Sequence, residues 1–583
     1  MLSVQSIVNG EKTEWQAAPG DTLLDVLRRE GFFGAKDGGC EKGECGACAI
    51  LLDGRPVNSC GMLAAQADGH RIDTIEALGE HPEQGWKKTG GLHLIQQSFV
   101  ETGAIQCGYC TPAMILAARS LIAKTPSPSE AQVRDAISGV LCRCTGYEKP
   151  VQAILRAAAQ MRGESVPPIE GSQPSTPENW PAPGEPIKED EDAFTGSGGS
   201  IMTTVMPRIW TVPQTPSRSK IGKPEIKVDA VKLVQGKPAF TADIEKRGML
   251  VGKILHSPVA HAWIKSIDTT EARALPGVAA VLTWQDLPRV VYSTAGQSDP
   301  IPGPLDTFSL DRKVRFVGDR VAIVAAESPE IAEEACSLIK VQYQVLKAVF
   351  DPEKARDKDA PVIHDEKDCR VPIPIFYDPK HNHCSHVETR VGDVKKGFKQ
   401  ADVVLERTYY PHYAQHCAIE PHTCIAYLDE NDRLVLRSST QVPFHARRIT
   451  AQTLQIPIKK IRVIKPRIGG GFGGKQEVLL EDVCGLVTLK TRRPCIWALT
   501  RAEEFMAART RHPMVVTIQS GVKKDGSITA ISMRIISNTG AYGSHALTVL
   551  SNCGSKVLPL YRADNIEFIG DTVYTNLPVA GAY

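Results

Sequence analysis

The sequence has 583 residues, of which 42% are hydrophobic and 23% charged, and its 68 basic and 66 acidic side chains leave a formal net charge of +2. This length exceeds a single-core domain and suggests three or four domains. Charge so evenly spread excludes the basic face that neutralises nucleic-acid phosphates. No apolar run approaches the ~18 residues of a membrane helix, and Met1-Leu2-Ser3-Val4-Gln5 lacks the charged start and apolar core of a signal peptide. Neither nucleic acid nor membrane insertion is therefore expected, and the chain reads as cytoplasmic.

In chain order, Ser3 to Val8 alternates, Asn9-Gly10 tolerates positive φ, and Lys12 to Gln16 returns, which predicts a hairpin. Asp21-Thr22 caps a helix over Leu23 to Glu30. Arg28-Arg29 then falls at a helix end rather than in a twin-arginine export signal. Eight of the sixteen cysteines lie within the first 144 residues, and in a reducing compartment such grouping favours metal ligation over disulfides. The first set is Cys40-x4-Cys45-x2-Cys48 with Cys60 following, which matches the plant-type ferredoxin spacing for a [2Fe–2S] cluster. Gly38, Gly39, Gly43 and Gly46 let backbone amides turn toward such a cluster. A four-cysteine zinc site is the alternative, although zinc sites usually pair two short C-x2-C knuckles.

A strand is expected over Ala49 to Leu52. From about residue 90 the pattern turns helical, with Thr111-Pro112 opening a helix through Ile122 and Ser129 opening the next. The second set, Cys107-x2-Cys110 with Cys142-x-Cys144, sits among these helices and taken alone could hold zinc. Two four-cysteine sets within 105 residues instead suggest two clusters passing electrons in series. Between residues 163 and 222 Pro, Ser, Gly and acidic residues dominate, a composition that marks a linker. Strand-like runs (Met249 to Leu255, Val278 to Leu282, Val321 to Ala325) then alternate with a helical one (Pro329 to Leu338), and a larger α/β region follows from about 351.

The segment Ile468 to Lys475 (IGGGFGGK) follows an apolar strand, Ile461 to Ile464, and is expected to open a helix from about Gln476, which would make it an oxyanion cradle. It resembles dinucleotide and Walker patterns only in part, because Gln476 stands where Ser or Thr is required and no repeated βαβ unit surrounds it. His412-x3-His416 with Glu420 lacks the H-E-x-x-H arrangement of a zinc helix. The eight cysteines from Cys336 to Cys553 are scattered singly and read as small buried hydrophobes.

The motifs CEKGECGAC and QCGYCTP…CRCTGY together resemble the two-cluster region of the xanthine dehydrogenase and aldehyde oxidoreductase family of molybdenum hydroxylases. Ser439-Thr440-Gln441, the glycine loop, Ile419-Glu420-Pro421-His422, Arg511-His512-Pro513 and Asn538 to Tyr542 extend the resemblance to the chain end. It implies a multidomain α+β protein: a ferredoxin-like [2Fe–2S] β-grasp domain (1–80), a helical [2Fe–2S] domain (81–162), the linker (163–222), a hammerhead-like α/β domain (223–350) and a first molybdopterin-binding domain (351–583). Cys40, Cys45, Cys48 and Cys60 would hold one cluster, and Cys107, Cys110, Cys142 and Cys144 the other, nearest the pterin. Gln106 would bond the pterin, Gly470, Gly471, Phe472 and Gly473 would approach the metal, and Gln441 would donate to its oxo group.

Gln476 stands where purine-oxidising members carry a glutamate and aldehyde-oxidising members an apolar residue, so Gln441 and Gln476 are the candidate catalytic residues and a purine or related N-heterocycle the expected substrate. The resemblance implies a molybdopterin cofactor in its cytosine dinucleotide form and hydroxylation with water-derived oxygen. With no flavin region between the clusters and the molybdenum region, FAD is expected only on a separate subunit or another external acceptor. Family members continue past the counterpart of Tyr583 into a second molybdenum domain bearing the glutamate general base. A partner polypeptide supplying that domain, or a truncated product, is therefore expected.

Overall fold

The computed structural model describes residues 1–80, 90–167, 169, 225–296 and 298–582. Apart from residues 163–167 and 169, the segment read as a linker lies outside them.

The N-terminal hairpin forms as its alternation requires. Leu2–Val8 pairs antiparallel with Glu11–Ala17 around Asn9 and Gly10, both at positive φ. The pair is extended by Arg71–Asp73, Ala49–Leu52 and Arg55–Asn58 into a five-stranded mixed sheet. Helix Leu23–Arg29 starts at a capping box in which Thr22 and Asp25 satisfy each other's backbone amides. Its buried face, Leu23, Leu24, Val26 and Leu27, packs with Val4, Val8, Trp15 and Ile72 as the core of this β-grasp unit.

Four helices follow: Leu94–Glu101, Thr111–Lys124, Glu130–Ile137 and Glu148–Met161. Pro112 at the first turn and the Ser129 capping box start the second and third where the sequence places them. A short helix beyond the undescribed segment, Ala230–Val234, together with Phe240, packs into the same hydrophobic core. Asp243 then anchors this return: its buried carboxylate accepts from Lys36 at 3.1 Å and Arg28 at 3.3 Å.

The remaining chain builds three sheets. A seven-stranded sheet runs in the order Ile461–Ile464, Leu434–Ser438, Thr423–Leu428, Cys495–Ala498, Leu250–His256, Arg320–Ala326, Val278–Thr283. Its two halves come from distant parts of the sequence and meet where Leu250–His256 pairs parallel with Cys495–Ala498. Lys340–Val345, Ala262–Asp268 and Lys313–Val314 form a three-stranded sheet beside it. A five-stranded sheet near the C-terminus orders His383–Val391, Ile566–Tyr574, Ile528–Gly540, Met514–Val522 and Val403–Tyr409.

One local expectation is corrected. The glycine-rich loop does not lead straight into a helix at Gln476; the helix is Glu481–Thr491. Residues 476–480 are diverted because Glu477 turns inward to Thr294 and Arg509 and the Val478 amide donates to the Thr294 carbonyl at 3.1 Å. Glu481, the first helical residue, accepts from the amides of Leu479 and Leu480 just ahead of it.

Arginines tie the cluster-bearing units to the rest of the chain by donating to backbone carbonyls. Arg501 gives two hydrogen bonds to Gly39 O (2.9 and 2.7 Å) and one to Ile419 O (2.7 Å), Arg143 reaches His416 O at 3.2 Å, and Arg467 reaches Cys107 O at 3.1 Å and Gln106 O. Replacing Arg501 by Ala should cost about 2 kcal/mol of docking energy. Calorimetry should then show the cluster-bearing half unfolding at a lower temperature, with the other transition unmoved.

Candidate iron–sulfur and molybdenum centres

The first cysteine set lies on a loop turned by residues at positive φ, most of them glycines. Gly38, Gly43 and Gly46 have φ of 76°, 73° and 71°. Cys40, Cys45 and Cys48 are buried and Cys60 is half-buried. The amides of Glu44 and Cys45 both point at Cys40 Sγ at 3.2 Å, the donor arrangement that stabilises a metal-bound thiolate. Asn58 holds the loop through Gly43 O at 2.7 Å.

In the second set Cys110 immediately precedes helix Thr111–Lys124, and Cys142 and Cys144 lie on the turn before Glu148–Met161. Cys142 Sγ meets Thr145 Oγ1 at 3.2 Å, and its amide donates to the Tyr147 hydroxyl at 2.8 Å. Cys48 pairs with Cys60, and in the second set the thiols pair end to end, Cys110 with Cys142, Cys142 with Cys144 and Cys144 with Cys107.

This pairing tests the zinc alternative. Four sulfurs about 2.3 Å from one ion must all lie within about 3.8 Å of each other. Among the described residues the group of three donors within 4.8 Å of one another is His364, Glu366 and Cys369, and no three of these eight cysteines qualify. Sulfurs of which no three lie close together fit the two irons of a [2Fe–2S] cluster better than one zinc ion.

The two sets touch through backbone. Leu141 N–H donates to Cys45 O at 2.8 Å, and a Cβ on Gly46 would lie 2.0 Å from Gly139 O. Tyr109, between Cys107 and Cys110, reaches the first loop by donating its hydroxyl to Asp37 O, and its ring stands edge-on to Phe240 at 4.9 Å. The same ring lies against Gly469, where a Cβ would come within 2.7 Å of it.

Gly469 begins the glycine loop. Its amide donates to Glu420 Oε2 at 2.6 Å, and that oxygen also accepts from Ser439 at 2.6 Å and Lys475 Nζ at 3.1 Å. Lys475 is buried and further bonded to Glu420 O and Ser439 Oγ. It therefore cannot reach out to a phosphate as a P-loop lysine does.

Gln441 lies across the loop. Its side-chain carbonyl accepts from the amides of Gly473 (3.0 Å) and Lys475 (3.3 Å), and its backbone N–H donates to Lys475 O at 2.8 Å. The carbonyl is thus committed to the loop, which leaves the NH2 group as the donor Gln441 can offer a ligand. A Cβ on Gly471 would lie 2.6 Å from Gln441 Oε1. Gln441, Gly470, Gly471, Ile468, Lys465 and Arg467 line a cleft of about 240 Å³. Phe472 is 39% exposed with φ of 52°, its ring beside Gly470. Gln106 is exposed on the other side of Arg467, which donates to its carbonyl. The cleft, with the Gln441 NH2 group, Lys465 and Arg467 along its lining, suits a polar, anionic cofactor.

Gln476 is half-buried and follows the loop, its amide donating to Gly473 O at 3.2 Å. Behind it, Glu477 accepts from Thr294 at 2.7 Å, from Ser544 and from Arg509. Burial alone would raise the Glu477 carboxyl, but Arg509, His545 and these hydrogen bonds hold it down to about 2. His422 Nε2 meets Gly474 O at 3.1 Å while its Nδ1 faces Glu504 at 2.8 Å. Against the same burial penalty, His422 brings Glu504 down to about 2. His412 is exposed and His416 is engaged with the carbonyls of Arg509 and Ala582, so with Glu420 they form no metal site.

Family models cover most of the chain: 2Fe-2S iron-sulfur cluster binding domain (6–74), [2Fe-2S] binding domain (74–155), aldehyde oxidase and xanthine dehydrogenase a/b hammerhead domain (235–347) and molybdopterin cofactor-binding domain (376–583). The nicotinate dehydrogenase large molybdopterin subunit of Eubacterium barkeri is 34% identical over 364 residues, 62% of this chain and 81% of that protein. The chain belongs to the xanthine dehydrogenase and aldehyde oxidoreductase family of molybdenum hydroxylases.

Among other members, the probable hypoxanthine oxidase XdhD of Escherichia coli K12 is 37% identical over 605 aligned positions, which cover all of this chain and 58% of that protein. The crystal structure of aldehyde oxidoreductase from Desulfovibrio desulfuricans superposes with a TM-score of 0.82 at 28% identity, over 100% of this chain and 59% of that one. The chain thus spans a little under three fifths of such relatives. For a family member with two cluster domains, iron should reach about four per chain. Cys144→Ser should halve it, as read by elemental analysis.

Glu477 and Glu504, near 2 in the folded chain against about 4.3 in an unfolded one, contribute stability that is complete above about pH 4.5 and lost as pH falls toward 2. In acid titrations followed by circular dichroism, Glu477→Gln should be less stable at pH 7, with a shallower loss between about pH 5 and 2.

Proposed function

We propose that this chain provides the electron-transfer relay and one wall of the active site of a molybdenum hydroxylase that oxidises a purine or related N-heterocycle. The observation that carries this reading is the contiguity of three elements. The Gln441–glycine-loop cleft, Arg467 on its rim, and the Gln106–Cys107 backbone that Arg467 grips form one unbroken path. A cofactor in the cleft would lie beside the second cysteine set, and Leu141 joins that set to the first.

In this reading the cofactor is a molybdopterin, taken as the cytosine dinucleotide. When bound it supplies two-electron oxidation of an electron-poor carbon with oxygen from water. The chain's own residues position it. Gln441 offers its NH2 group as a donor, Gly470, Gly471 and Gly473 leave room for close approach, Phe472 closes one side and Gln106 bonds the pterin. Glu420 and Lys475 hold the loop from beneath. Electrons leave through Cys107, Cys110, Cys142 and Cys144, then through Cys40, Cys45, Cys48 and Cys60. A flavin or other acceptor subunit receives them, a second molybdenum domain completes the site, and the reducing cytoplasm suits eight unpaired cluster cysteines.

Gln476 sets the substrate class. Its side-chain amide can both donate to and accept from a heterocycle's ring N–H and carbonyl groups, which an aldehyde does not present in pairs. The test is to coexpress the chain with the second molybdenum domain and an acceptor subunit and compare hypoxanthine with an aromatic aldehyde. Hypoxanthine turnover is expected. Gln476→Leu should lower kcat/KM for the purine by about 10- to 100-fold, the worth of a lost polar contact of 1–3 kcal/mol, while sparing the aldehyde. Preference for the aldehyde in the unmodified enzyme would transfer the assignment to aldehyde oxidation, and iron without molybdenum in the complex would leave an electron carrier.

A further inference from the structure

Far along the sequence from the cluster cysteines, the loop His364-Asp-Glu366-Lys-Asp-Cys369 folds three different donors together. His364 Nδ1 lies 3.5 Å from Glu366 Oε2, Cys369 Sγ lies 4.0 Å from His364 Nδ1, and Cys369 Sγ lies 3.8 Å from Glu366 Oε2. Tetrahedral zinc with one sulfur at about 2.3 Å and lighter donors at about 2.0–2.1 Å separates its ligands by about 3.3–3.6 Å. A shift of a few tenths of an ångström would bring all three onto one ion.

The surroundings set His364 and Glu366 for ligation, while the Cys369 thiol, pushed up by burial and donating to Glu366 Oε2, gives up its proton when a metal binds. His364 Nε2 contacts Ala541 O at 2.7 Å, and a carbonyl can only accept, so the proton sits on Nε2 and the lone pair of a neutral ring is on Nδ1, aimed at Glu366 and Cys369. The ring is fully buried and held between Tyr542 and Tyr574, with centroids at 5.6 and 4.7 Å. Glu366 gives its other oxygen, Oε1, to Arg315. Arg315 is also matched by Asp311 at 3.0 Å, which in turn faces Arg289 at 3.7 Å, so Glu366 Oε2 is left turned toward His364 and Cys369. Cys369 N–H turns back to Glu366 O at 3.3 Å, and the bridge between Leu305 and Arg370 pins the loop's end. Cys369 and Glu366 are half-buried, so an ion can enter and water can supply a fourth ligand.

The geometry points to a divalent-metal site for a borderline-soft cation such as zinc, ligated by His364 Nδ1, Glu366 Oε2 and Cys369 Sγ with solvent in the fourth position. This site is independent of the iron–sulfur and molybdenum centres, and it gives a ligand role to a thiol that the sequence alone presents as an isolated hydrophobe.

The full chain, purified with its clusters, is loaded with zinc and dialysed. Metal analysis should find one zinc per chain in addition to iron. Zinc K-edge absorption should show one sulfur at about 2.3 Å with nitrogen or oxygen at about 2.0–2.1 Å. Cys369→Ser and His364→Asn should each weaken zinc retention at least about tenfold with iron content unchanged, while Cys336→Ser, at another half-buried thiol, leaves it intact. The site is disproved if the wild-type chain keeps no zinc, if the absorption edge reports four sulfurs and so places zinc in the cluster loops, or if both variants retain it.

Discussion

A buried ion pair anchors the molybdenum side of this protein. Lys475 and Glu420 meet at 3.1 Å with almost no solvent exposure, and the same carboxylate oxygen takes the Gly469 amide and the Ser439 hydroxyl. Charges so enclosed are tolerated only when further hydrogen bonds satisfy them. Here those bonds come from the two segments that must stay in register: the start and end of the glycine loop, and the strand end that carries Gln441. If the pair loosened, Gln441 would lose the loop amides it reads and the loop would lose its contact with Tyr109.

Tyr109 shows how the three chemistry-bearing loops are brought close. Its hydroxyl is bonded to the first cysteine loop, its flanking residues belong to the second, and its ring rests on Gly469 of the third. At two of these crossings a side chain would have no room, because a Cβ at Gly46 or Gly469 would collide with its neighbour. In the proposed function close approach matters because electrons would pass between the centres without a mobile carrier. The glycines therefore shorten the route as well as permitting turns.

The two cluster domains could be read from the sequence because each cysteine set is nearly local, with its spacing and intervening glycines all on one line. The hairpin, the capped helices and the strand before the glycine loop were legible for the same reason. The molybdenum-side scaffold was not. Glu420 meets its partners 49 and 55 residues away, and Arg467 grips carbonyls some 360 residues earlier, so no window along the chain reveals either. The misplaced helix start at Gln476 has a similar origin. Local pattern suggested a helix, but Glu477 is drawn to Thr294, Arg509 and Ser544, and the backbone follows it. Cys369 looked like a stray hydrophobe because its relation to His364 depends on a turn and on the distant Ala541 carbonyl.

The seven-stranded sheet has a consequence for how the protein is made. Leu250–His256 pairs with Cys495–Ala498, the central strand, so the earlier strand emerges from the ribosome long before this neighbour and must wait for it with one edge unpaired. Contacts so distant in sequence form slowly and leave exposed edges open to aggregation. The N-terminal cluster units face no such delay, since apart from the short return at Ala230–Phe240 their cores come from the first 161 residues. Assembly is thus ordered in time, with the relay able to fold first and the wide sheet closing last, at the stage where chaperones would be needed most.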